Sequence, residues 1–310
     1  MAKQSIVVVG SSNTDMVIQL DHIPRPGETI LGGKFVMAAG GKGANQAVAA
    51  ARAGGDVTFV ARVGRDMFGD KAVAGFQKDG ICVDHVLRDK ANPSGVALIF
   101  VANDGENSIA VASGANGSLS VADVRNARHA IASASVLVMQ LETPLPTVQA
   151  AAEIAAKAGV PVILNPAPAC PLSDELLRLV SILTPNETEA ELLTGIPVTD
   201  NASAERAADC LMAREIKTVI ITLGPRGAFV ATDEFRGVVP GFEVKAVDTT
   251  AAGDVFNGAL AVALAKQQPL PEAVRFANAA AAISVTRLGA QPSAPKRKEI
   301  KKLVGGAKSD

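Results

Sequence analysis

The chain has 310 residues, 48% hydrophobic and 20% charged, which is enough to bury the core of one large domain or two small ones. Its formal net charge of -1 argues against bulk binding of nucleic acid, and the lysines and arginines between 296 and 302 are interpreted as the solvated side of a last helix. Cys82, Cys170 and Cys210 lack metal-ligand spacing and no apolar run is long enough to cross a bilayer, so we expect a cytoplasmic protein that does not bind membranes.

Short β-branched segments alternate with alanine-rich segments along most of the chain. Strands are predicted at 6–9, 57–60, 136–139, 160–164, 182–183 and 219–222, and helices at 44–52, 68–78, 121–131, 147–157, 174–179 and 203–214. Strands this apolar have no solvent-exposed face, so the alternation predicts a mostly parallel sheet covered by helices on both sides. We therefore expect residues 1–310 to form a single three-layer α/β/α domain.

Two segments, at about 15–37 and 95–111, interrupt this alternation. The second is predicted as a β-hairpin, because two strand-like runs flank a turn of Asn103, Asp104 and Gly105. The two segments together are predicted to form a small separate β-sheet. An antiparallel sheet added to an α/β body usually buries its second face on a ligand or another subunit, so we interpret this sheet as a lid over a site.

Polar residues follow the first strand and precede the first helix. Residues 10–15 (GSSNTD) include Asn13 and Asp15, which offer a donor and an acceptor for adjacent sugar hydroxyls, although Asn and Asp also stabilise ordinary turns. Residues 40–45 (GGKGAN) match neither the Walker A pattern nor the dinucleotide fingerprint. They indicate a flexible turn into a helix, with Lys42 and Asn45 able to donate to hydroxyls, or simply a glycine-rich turn.

Three further segments follow predicted strands. Glu142 comes after the strand 136–139 and is either a helix cap or a ligand contact. Residues 186–189 (NETE) have the spacing of a helix N-cap with an acidic third residue, and acidic groups near phosphates are also expected where Mg²⁺ is held through water. Residues 222–227 (TLGPRG) form a glycine-rich loop that is open enough to border a nucleotide.

Residues 248–254 (DTTAAGD) read as a loop that turns into a helix, with a strong helix-forming run at 259–265. Small residues there would let a phosphate approach the unpaired N–H groups of the helix start. Asp254 is either a helix cap or the carboxylate that reaches the hydroxyl attacking that phosphate. The helix dipole is predicted to favour its ionised form, which makes Asp254 a weak base.

Three of these segments, 40–45, 186–189 and 248–254, together resemble the ribokinase branch of the carbohydrate and nucleoside kinase family. The resemblance covers essentially the whole chain in the right order, although the family commonly has Gly where Ala251 stands. It implies a ribokinase-like fold and the ATP-dependent transfer of a γ-phosphate to the 5-hydroxyl of D-ribose. It also implies a homodimer that forms through the two small sheets.

The resemblance implies a role for individual residues. Asp254 would be the base, with the amides of Ala251, Ala252, Gly253 and Asp254 as the anion hole. The sugar would be held by Asn13, Asp15, Gly41, Lys42, Gly43, Asn45, Glu142 and Asp254. The ATP site would be lined by Asn186, Thr222, Leu223, Gly224, Pro225, Arg226, Gly227, Gly253 and Asn278. Glu189 would organise Mg²⁺, and a K⁺ site would map to Asp248, Thr250, Ser284, Arg287, Gly289 and Ser293.

Other functions remain compatible with these residues. A kinase of the same fold could act on 2-deoxyribose, another sugar or a nucleoside. Asn13 favours a ribose 2-hydroxyl, and a nucleoside base would need a stacking surface in a chain with no Trp or Tyr. A sugar-responsive binding protein that lost the chemistry is the alternative from another class, and it would have no use for a base at Asp254.

Overall fold

The computed structural model describes residues 4–104 and 106–306. Its strands are β1 Ser5–Val9, β2 Asn13–Leu20, β3 Lys34–Gly40, β4 Asp56–Gly64, β5 Cys82–Asp89, β6 Gly95–Ala102, β7 Asn107–Ala112, β8 Val136–Met139, β9 Val162–Leu164, β10 Ile182–Leu183, β11 Thr218–Thr222, β12 Gly227–Ala231 and β13 Arg236–Pro240. Its α-helices are α1 Lys42–Arg52, α2 Met67–Lys78, α3 Val121–Asn126, α4 Arg128–Ala132, α5 Leu145–Lys157, α6 Asp174–Leu177, α7 Glu187–Thr194, α8 Asn201–Met212, α9 Ala252–Ala265, α10 Leu270–Ser284, α11 Ala290–Ser293 and α12 Arg297–Gly306.

The larger sheet has the strand order β13-β12-β11-β10-β9-β8-β1-β4-β5. From β11 to β5 all neighbours are parallel, and the antiparallel pairs β11–β12 and β12–β13 close one edge. Alternate side chains of each strand point to opposite faces. In β1, Ile6 and Val8 pack in a core with α1, α9 and α10, whereas Val7 and Val9 pack in a second core with α5 and α8. The predicted three-layer α/β/α fold is thereby confirmed.

Strand β1 lies at the point where the strand order reverses. Its neighbours are β4, which follows it in the chain, and β8, to which the chain returns later. In open parallel sheets, ligands bind beyond the carboxyl ends of the strands at such a reversal. The segments after β1 and β8 therefore meet at one crevice, and Ser11 and Glu142 are in contact there.

The smaller sheet has the order β3-β2-β6-β7, and it contains both segments predicted to form a lid. The predicted hairpin is confirmed by the antiparallel pairing of β6 with β7; of its turn residues, Gly105 lies outside the described part of the chain. Every residue of β7 is exposed, as are most of those in β3. This sheet therefore shows water much apolar surface, including Phe35, which is 59% exposed.

Two local predictions were wrong. Residues 13–15 were predicted in a loop, but they begin strand β2, because Asn13 pairs with Gly40 on one side and with Gly95 on the other. The single helix predicted at 121–131 is two helices, because α3 ends at Asn126 and the next residue, Ala127, has φ -85° and ψ 4°, which leave the helical range. The predicted last helix is α12, where Ile300 is buried and Lys301 is exposed.

Three strands were missed: β5, β12 and β13. β5 and β13 lie at the two edges of the large sheet, where polar residues interrupt the apolar pattern that identified the central strands. β12 is apolar and fully buried, so this reason does not apply to it. Within the described residues, no helix combines the length and the apolar character that a membrane span requires.

Candidate active site

Helix α9 begins at the carboxyl edge of the large sheet, directly after the loop 248–251. Its N-cap is Ala251, which has φ 58° and ψ 14°. This left-handed conformation suits glycine best, because a Cβ crowds the backbone there. The N–H of Ala252 bonds to Thr249 O, whereas the N–H groups of Gly253 and Asp254 have no partner among the described residues. Two donors at a positive helix end therefore remain for an anion.

Asp254 is the third residue of α9 and is 6% exposed. Its Oδ1 accepts a hydrogen bond from Gln46 Nε2 and its Oδ2 one from Asn45 Nδ2, both at 2.9 Å. The interpretation of Asp254 as a helix cap is therefore wrong, because the carboxylate reaches across to α1 and caps no N–H group of its own helix.

The predicted effect of the helix dipole on Asp254 was also wrong. Burial raises the pKa of its carboxyl above the ordinary value, and the Lys42 ammonium, the two amide donors and the more distant Glu142 carboxylate have smaller effects. The cost of removing the charge from water exceeds the attraction of the nearby positive groups. Asp254 is a stronger base than its place at a helix start alone implies.

A cavity of about 160 Å³ lies over the start of α9. Of the predicted residues, it is lined by Lys42, Asn186, Glu189, Thr222, Ala251, Ala252, Gly253 and Asp254. A second cavity of about 570 Å³ is lined by Gly224, Pro225, Gly227, Asn278 and several apolar residues, among them Phe242 and Val285. Thr222, Thr249, Ala252 and Gly253 line both cavities. The two cavities therefore adjoin at the unpaired helix start.

The residues predicted to bind the nucleotide differ in their positions relative to the two cavities. Asn278 lines the larger cavity and its Nδ2 donates to Val239 O at 3.0 Å. Arg226 forms a 2.6 Å ion pair with Glu187. Leu223 is 1% exposed and packs in the core, so only its backbone is placed to border a ligand.

Asn186 and Glu189 form the capping box that their spacing predicts. Glu189 N–H donates to Asn186 Oδ1 at 2.7 Å, and Asn186 N–H donates to Glu189 Oε2 at 2.9 Å. The two residues also line the smaller cavity, so the structural interpretation and the functional one coexist. Burial raises the pKa of the Glu189 carboxyl, partly opposed by its bond to Asn186 and by the Lys42 ammonium.

Asp15 lies on the small sheet, where it faces the crevice. A Cβ at Gly40 would come within 2.1 Å of Asp15 Oδ2, so the carboxylate lies directly against that glycine. Burial raises the pKa of Asp15 to about 6, with further contributions from the Glu142 and Asp254 carboxylates. Charges act over a few ångströms, so these three carboxylates converge on one side of the crevice.

Glu142 connects the loop after β1 with the start of α1. Its Oε2 accepts from Lys42 N–H at 2.9 Å and from the Ser11 hydroxyl. It therefore caps α1 from a distant part of the chain. Gly43 fits in the first turn because a Cβ there would come within 2.5 Å of Ser11 N, so its role is close packing against the β1 loop.

Asn13 is held by a residue that the sequence did not reveal. Asn116, 2% exposed, accepts from Ser12 N–H at 2.8 Å and donates through Nδ2 to Ser12 O at 3.1 Å and to Asn13 Oδ1 at 2.7 Å. Because both groups of the Ser12 backbone fix Asn116, its Nδ2 must face Asn13. The Asn13 side chain then presents its Nδ2 donor to a ligand, while Asn116 already uses one lone pair of its Oδ1.

The residues predicted for a monovalent cation come from the loop before α9, from the ends of α10 and α11, and from the segment between those two helices. Asp248 accepts from Thr250 N–H at 2.9 Å through Oδ1 and from Gly289 N–H at 2.8 Å through Oδ2. Ser284 and Ser293 are fully buried, whereas Arg287 pairs with Glu299. These donors are carboxylate, hydroxyl and carbonyl oxygens, which suit a hard cation. Across residues 4–104 and 106–306, no cluster of three or more His, Cys, Asp or Glu could hold a metal ion.

Comparisons with known proteins agree with this geometry. Residues 3–297 match the model of the pfkB family carbohydrate kinases. The chain is 50% identical over 297 residues to a ribokinase of Haemophilus influenzae, covering 96% of this chain and 97% of that protein. A deoxyribokinase of Salmonella typhi is 38% identical over 291 residues, covering 94% and 95%.

The fold is likewise similar to that of a solved relative. The structure of Arabidopsis thaliana ribokinase complexed with ribose and ATP superposes with a TM-score of 0.90 at 35% identity, covering 98% of this chain and 99% of that one. Family, fold and the arrangement of the crevice thus agree over almost the whole length. The chain belongs to the pfkB family of carbohydrate kinases.

Proposed function

We propose that this protein transfers the γ-phosphate of ATP to the 5-hydroxyl of D-ribose. One observation carries the proposal: a buried carboxylate, Asp254, lies between two amide donors directly beside the unpaired N–H groups of a helix start. An anion site next to a base is the arrangement that phosphoryl transfer to a hydroxyl requires. The Haemophilus influenzae relative is named a ribokinase, and the Arabidopsis thaliana ribokinase structure is a complex with ribose and ATP, which agrees with this assignment.

The larger cavity is the proposed site of the adenosine part of ATP. Its walls are mostly apolar and include Phe242, Val285 and residues of the glycine-rich loop 224–227. The phosphates then extend over Gly253 into the smaller cavity, because this residue lines both. Lys42 lines the smaller cavity too, and its ammonium is placed to neutralise the transferred phosphate as well as to contact the sugar.

Asp254 would take the proton from the sugar hydroxyl as that oxygen bonds to phosphorus and the bond to the β-phosphate oxygen breaks. Phosphoryl transfer has a loose transition state in which the proton leaves late, so a carboxylate is basic enough. The N–H groups of Gly253 and Asp254 would stabilise the charge on the transferred phosphate. Most of the acceleration would come from alignment and from these fixed donors.

The sugar is proposed to lie between Asp254 and the small sheet. Asp15 would accept from its hydroxyls and Asn13 would donate to one of them. Asn45 Oδ1 is buried and has no hydrogen-bond partner among the described residues, and a sugar hydroxyl would supply one. A plain turn function for Asn45 would not explain why a polar atom this deeply buried is kept unpaired.

Mg²⁺ and K⁺ are proposed as cofactors. Glu189 keeps one carboxylate oxygen free of the capping box at the edge of the smaller cavity, which fits a Mg²⁺ held mainly by ATP and water. Bound there, Mg²⁺ would neutralise phosphate charge. The contact between Asp248 and Gly289 would let a K⁺ ion stiffen the loop before α9, and equal rates in K⁺, Na⁺ and a large organic cation would refute this.

We propose that the small sheet is a lid and that two lids pair in a homodimer. On the face that carries Asp15, the strand register also places Val36, Ile109 and Val111, which are 42%, 56% and 52% exposed. An apolar sheet face of this kind is normally covered by a partner. Light scattering that finds a fully active monomer at micromolar concentration would contradict the dimer.

ATP consumption with a panel of pentoses and nucleosides tests the proposed function, and ribose is expected to give the highest kcat/KM. The Salmonella deoxyribokinase makes 2-deoxyribose the second candidate. Faster turnover of 2-deoxyribose or of a nucleoside would replace ribose as the substrate. Binding of ribose without any ATP consumption would favour a sugar-responsive binding protein. Use of ATP and an odd number of cysteines support a reducing, cytoplasmic location.

A further inference from the structure

A buried run of side-chain amides leads to Asp254. Gln46 on α1 and Gln140 after β8 are both 0% exposed, and Asn165 after β9 is 6% exposed. None of the three belongs to the residues predicted for sugar, nucleotide or metal. Buried amides cost free energy unless their donors and acceptors are paired, so a connected group of them beside a carboxylate calls for a physical explanation.

The orientation of each amide in this run follows from one backbone carbonyl. Asn165 Nδ2 donates to Thr184 O at 3.1 Å, and a carbonyl can only accept. Asn165 therefore presents its Oδ1 to Gln46, at 3.1 Å, which makes the Gln46 nitrogen the donor there. The same nitrogen faces Asp254 Oδ1 at 2.9 Å.

The other end of Gln46 faces Gln140. Gln46 Oε1 accepts from Gln140 Nε2 at 2.6 Å. Turning the Gln46 amide over would place its oxygen against the oxygens of Asn165 and Asp254, and these two contacts set the orientation. Gln46 is thus held in the one orientation in which it donates to Asp254.

The chemistry of this donor matters for a base. An amide nitrogen stabilises the ionised carboxylate but has no proton to give up at neutral pH, so it cannot neutralise the group that it supports. Each carboxylate oxygen has a second lone pair beyond the one used by Gln46 or Asn45, so both amide bonds can persist while a substrate hydroxyl binds. The two bonds from adjacent residues of α1 also fix the plane of the carboxylate.

We infer that Gln46 is a positioning residue for phosphoryl transfer, which keeps Asp254 ionised and aimed at the sugar hydroxyl. The inference rests on the proposed function of Asp254 as the base. Asn165 acts through Gln46, because it decides which end of the Gln46 amide faces the carboxylate. Gln140 follows that orientation, since its Oε1 has no hydrogen-bond partner among the described residues.

The test is the pH dependence of kcat for Gln46→Leu and Gln46→Met at saturating ribose and ATP. Loss of a donor to the ionised form makes Asp254 hold its proton to higher pH. We expect kcat to fall about tenfold to a hundredfold near neutrality. This is the factor that corresponds to the free energy of one hydrogen bond to a charged group. The deficit should shrink as the pH rises, because the base ionises again.

Thr147→Val is the matched control. Thr147 is 1% exposed on α5 and its hydroxyl donates to Leu119 O at 2.7 Å, so this change also removes a buried hydrogen bond without altering side-chain shape. It should lower the melting temperature but leave the pH profile of kcat unchanged. A deficit in the Gln46 variants that stays constant with pH, or a wild-type profile, would overturn the inference.

A second measurement needs no substitution at position 46. In wild-type protein labelled at glutamine nitrogen, the Gln46 side-chain amide resonance should titrate with the same midpoint as the acidic limb of kcat. A resonance that does not move with pH would overturn the inference. The two proposals fail on different results. The proposed function is refuted if wild type does not phosphorylate ribose. The positioning role is refuted if wild type is active and the Gln46 substitutions leave the pH profile of kcat unchanged.

Discussion

The two halves of the crevice are built from different parts of the protein chain. The proposed sugar site is lined mainly by the side chains of Asp15, Asn13 and Asp254. Burial raises the pKa of the two carboxyl groups, and a fixed neighbour sets the orientation of the Asn13 amide. Around the proposed nucleotide site, backbone and small residues dominate, with Gly253 between two cavities. Activity should therefore depend on the polar side chains and on pH in the sugar half of the crevice. In the nucleotide half it should depend on the volume of the side chains.

Asp254→Asn should give the largest effect, because it removes the base but keeps the size of the side chain. Loss of a general base typically lowers the rate by about 10²–10⁴. Sugar and nucleotide affinity, measured by calorimetry, should change little, because Asn can still occupy the same buried position. A variant that keeps more than about a tenth of wild-type kcat would contradict the assignment.

Asn13→Met should change the choice of sugar. In wild type, 2-deoxyribose would leave the buried Asn13 donor unpaired, at a cost of about 1–3 kcal/mol, so ribose should be preferred by roughly one to two powers of ten in kcat/KM. The structure sharpens the reason, because Asn116 already occupies Asn13 Oδ1. The methionine variant should lose ribose activity and narrow or reverse the preference.

If Asn13 only shapes the start of β2, both sugars should lose activity equally in Asn13→Met. The ratio of the two kcat/KM values, compared between wild type and variant, separates the two explanations. An unchanged ratio would remove Asn13 from the sugar site.

Gly253→Ala tests the other half of the crevice through volume alone. A Cβ at this position meets no protein atom within 4 Å, so the fold should tolerate it, but the methyl group would occupy the space proposed for phosphate. We expect KM for ATP to rise about tenfold, which corresponds to about 1.4 kcal/mol, with little change in KM for ribose. Gly75→Ala is the control, because this glycine also lies in a helix with no atom within 4 Å of its Cβ.

Gly75→Ala should leave both KM values unchanged, and each alanine should stabilise its helix slightly, by up to about 1 kcal/mol. Equal kinetics for the two variants would show that phosphate does not pass Gly253.

The pH dependence of sugar affinity should give the smallest effect. The pKa of Asp15 is raised to about 6, and hydroxyls donate stronger hydrogen bonds to the ionised carboxylate than to the protonated one. As pH falls through that value Asp15 becomes protonated, so KM for the sugar should rise, by no more than about tenfold per pH unit. Above it, KM should level off. Asp15→Asn should raise KM and abolish this dependence, and a dependence that survives the change would belong to another group.

The sequence alone predicted the site residues that lie in short, distinctive segments of the chain. The segments 40–45 and 248–254 combine small residues with Lys42, Asn45 or Asp254, and the structure brings all three side chains to the same place. The parallel sheet was readable because its central strands are apolar throughout. The capping box at 186–189 was likewise encoded in four consecutive residues.

Contacts between distant parts of the chain could not be found in this way. Gln46 lies 208 residues from Asp254, and Asn116 lies 103 residues from Asn13. A glutamine in an alanine-rich helix reads as an exposed position, and only the packing of α1 against α9 buries it. The pKa of Asp254 was predicted in the wrong direction for the same reason, since burial is a property of the packed layers and the helix dipole is a property of local sequence.

The position of phosphate on the product tests the central claim most directly. Purified wild-type protein incubated with ATP, Mg²⁺, K⁺ and D-ribose should yield ADP and ribose phosphorylated at the 5-hydroxyl, which phosphorus NMR identifies through coupling to the two protons on carbon 5. Asp254→Asn under the same conditions should yield almost none. ATP consumption without a sugar phosphate, or phosphate on another hydroxyl, would contradict the proposed arrangement of sugar, base and anion site.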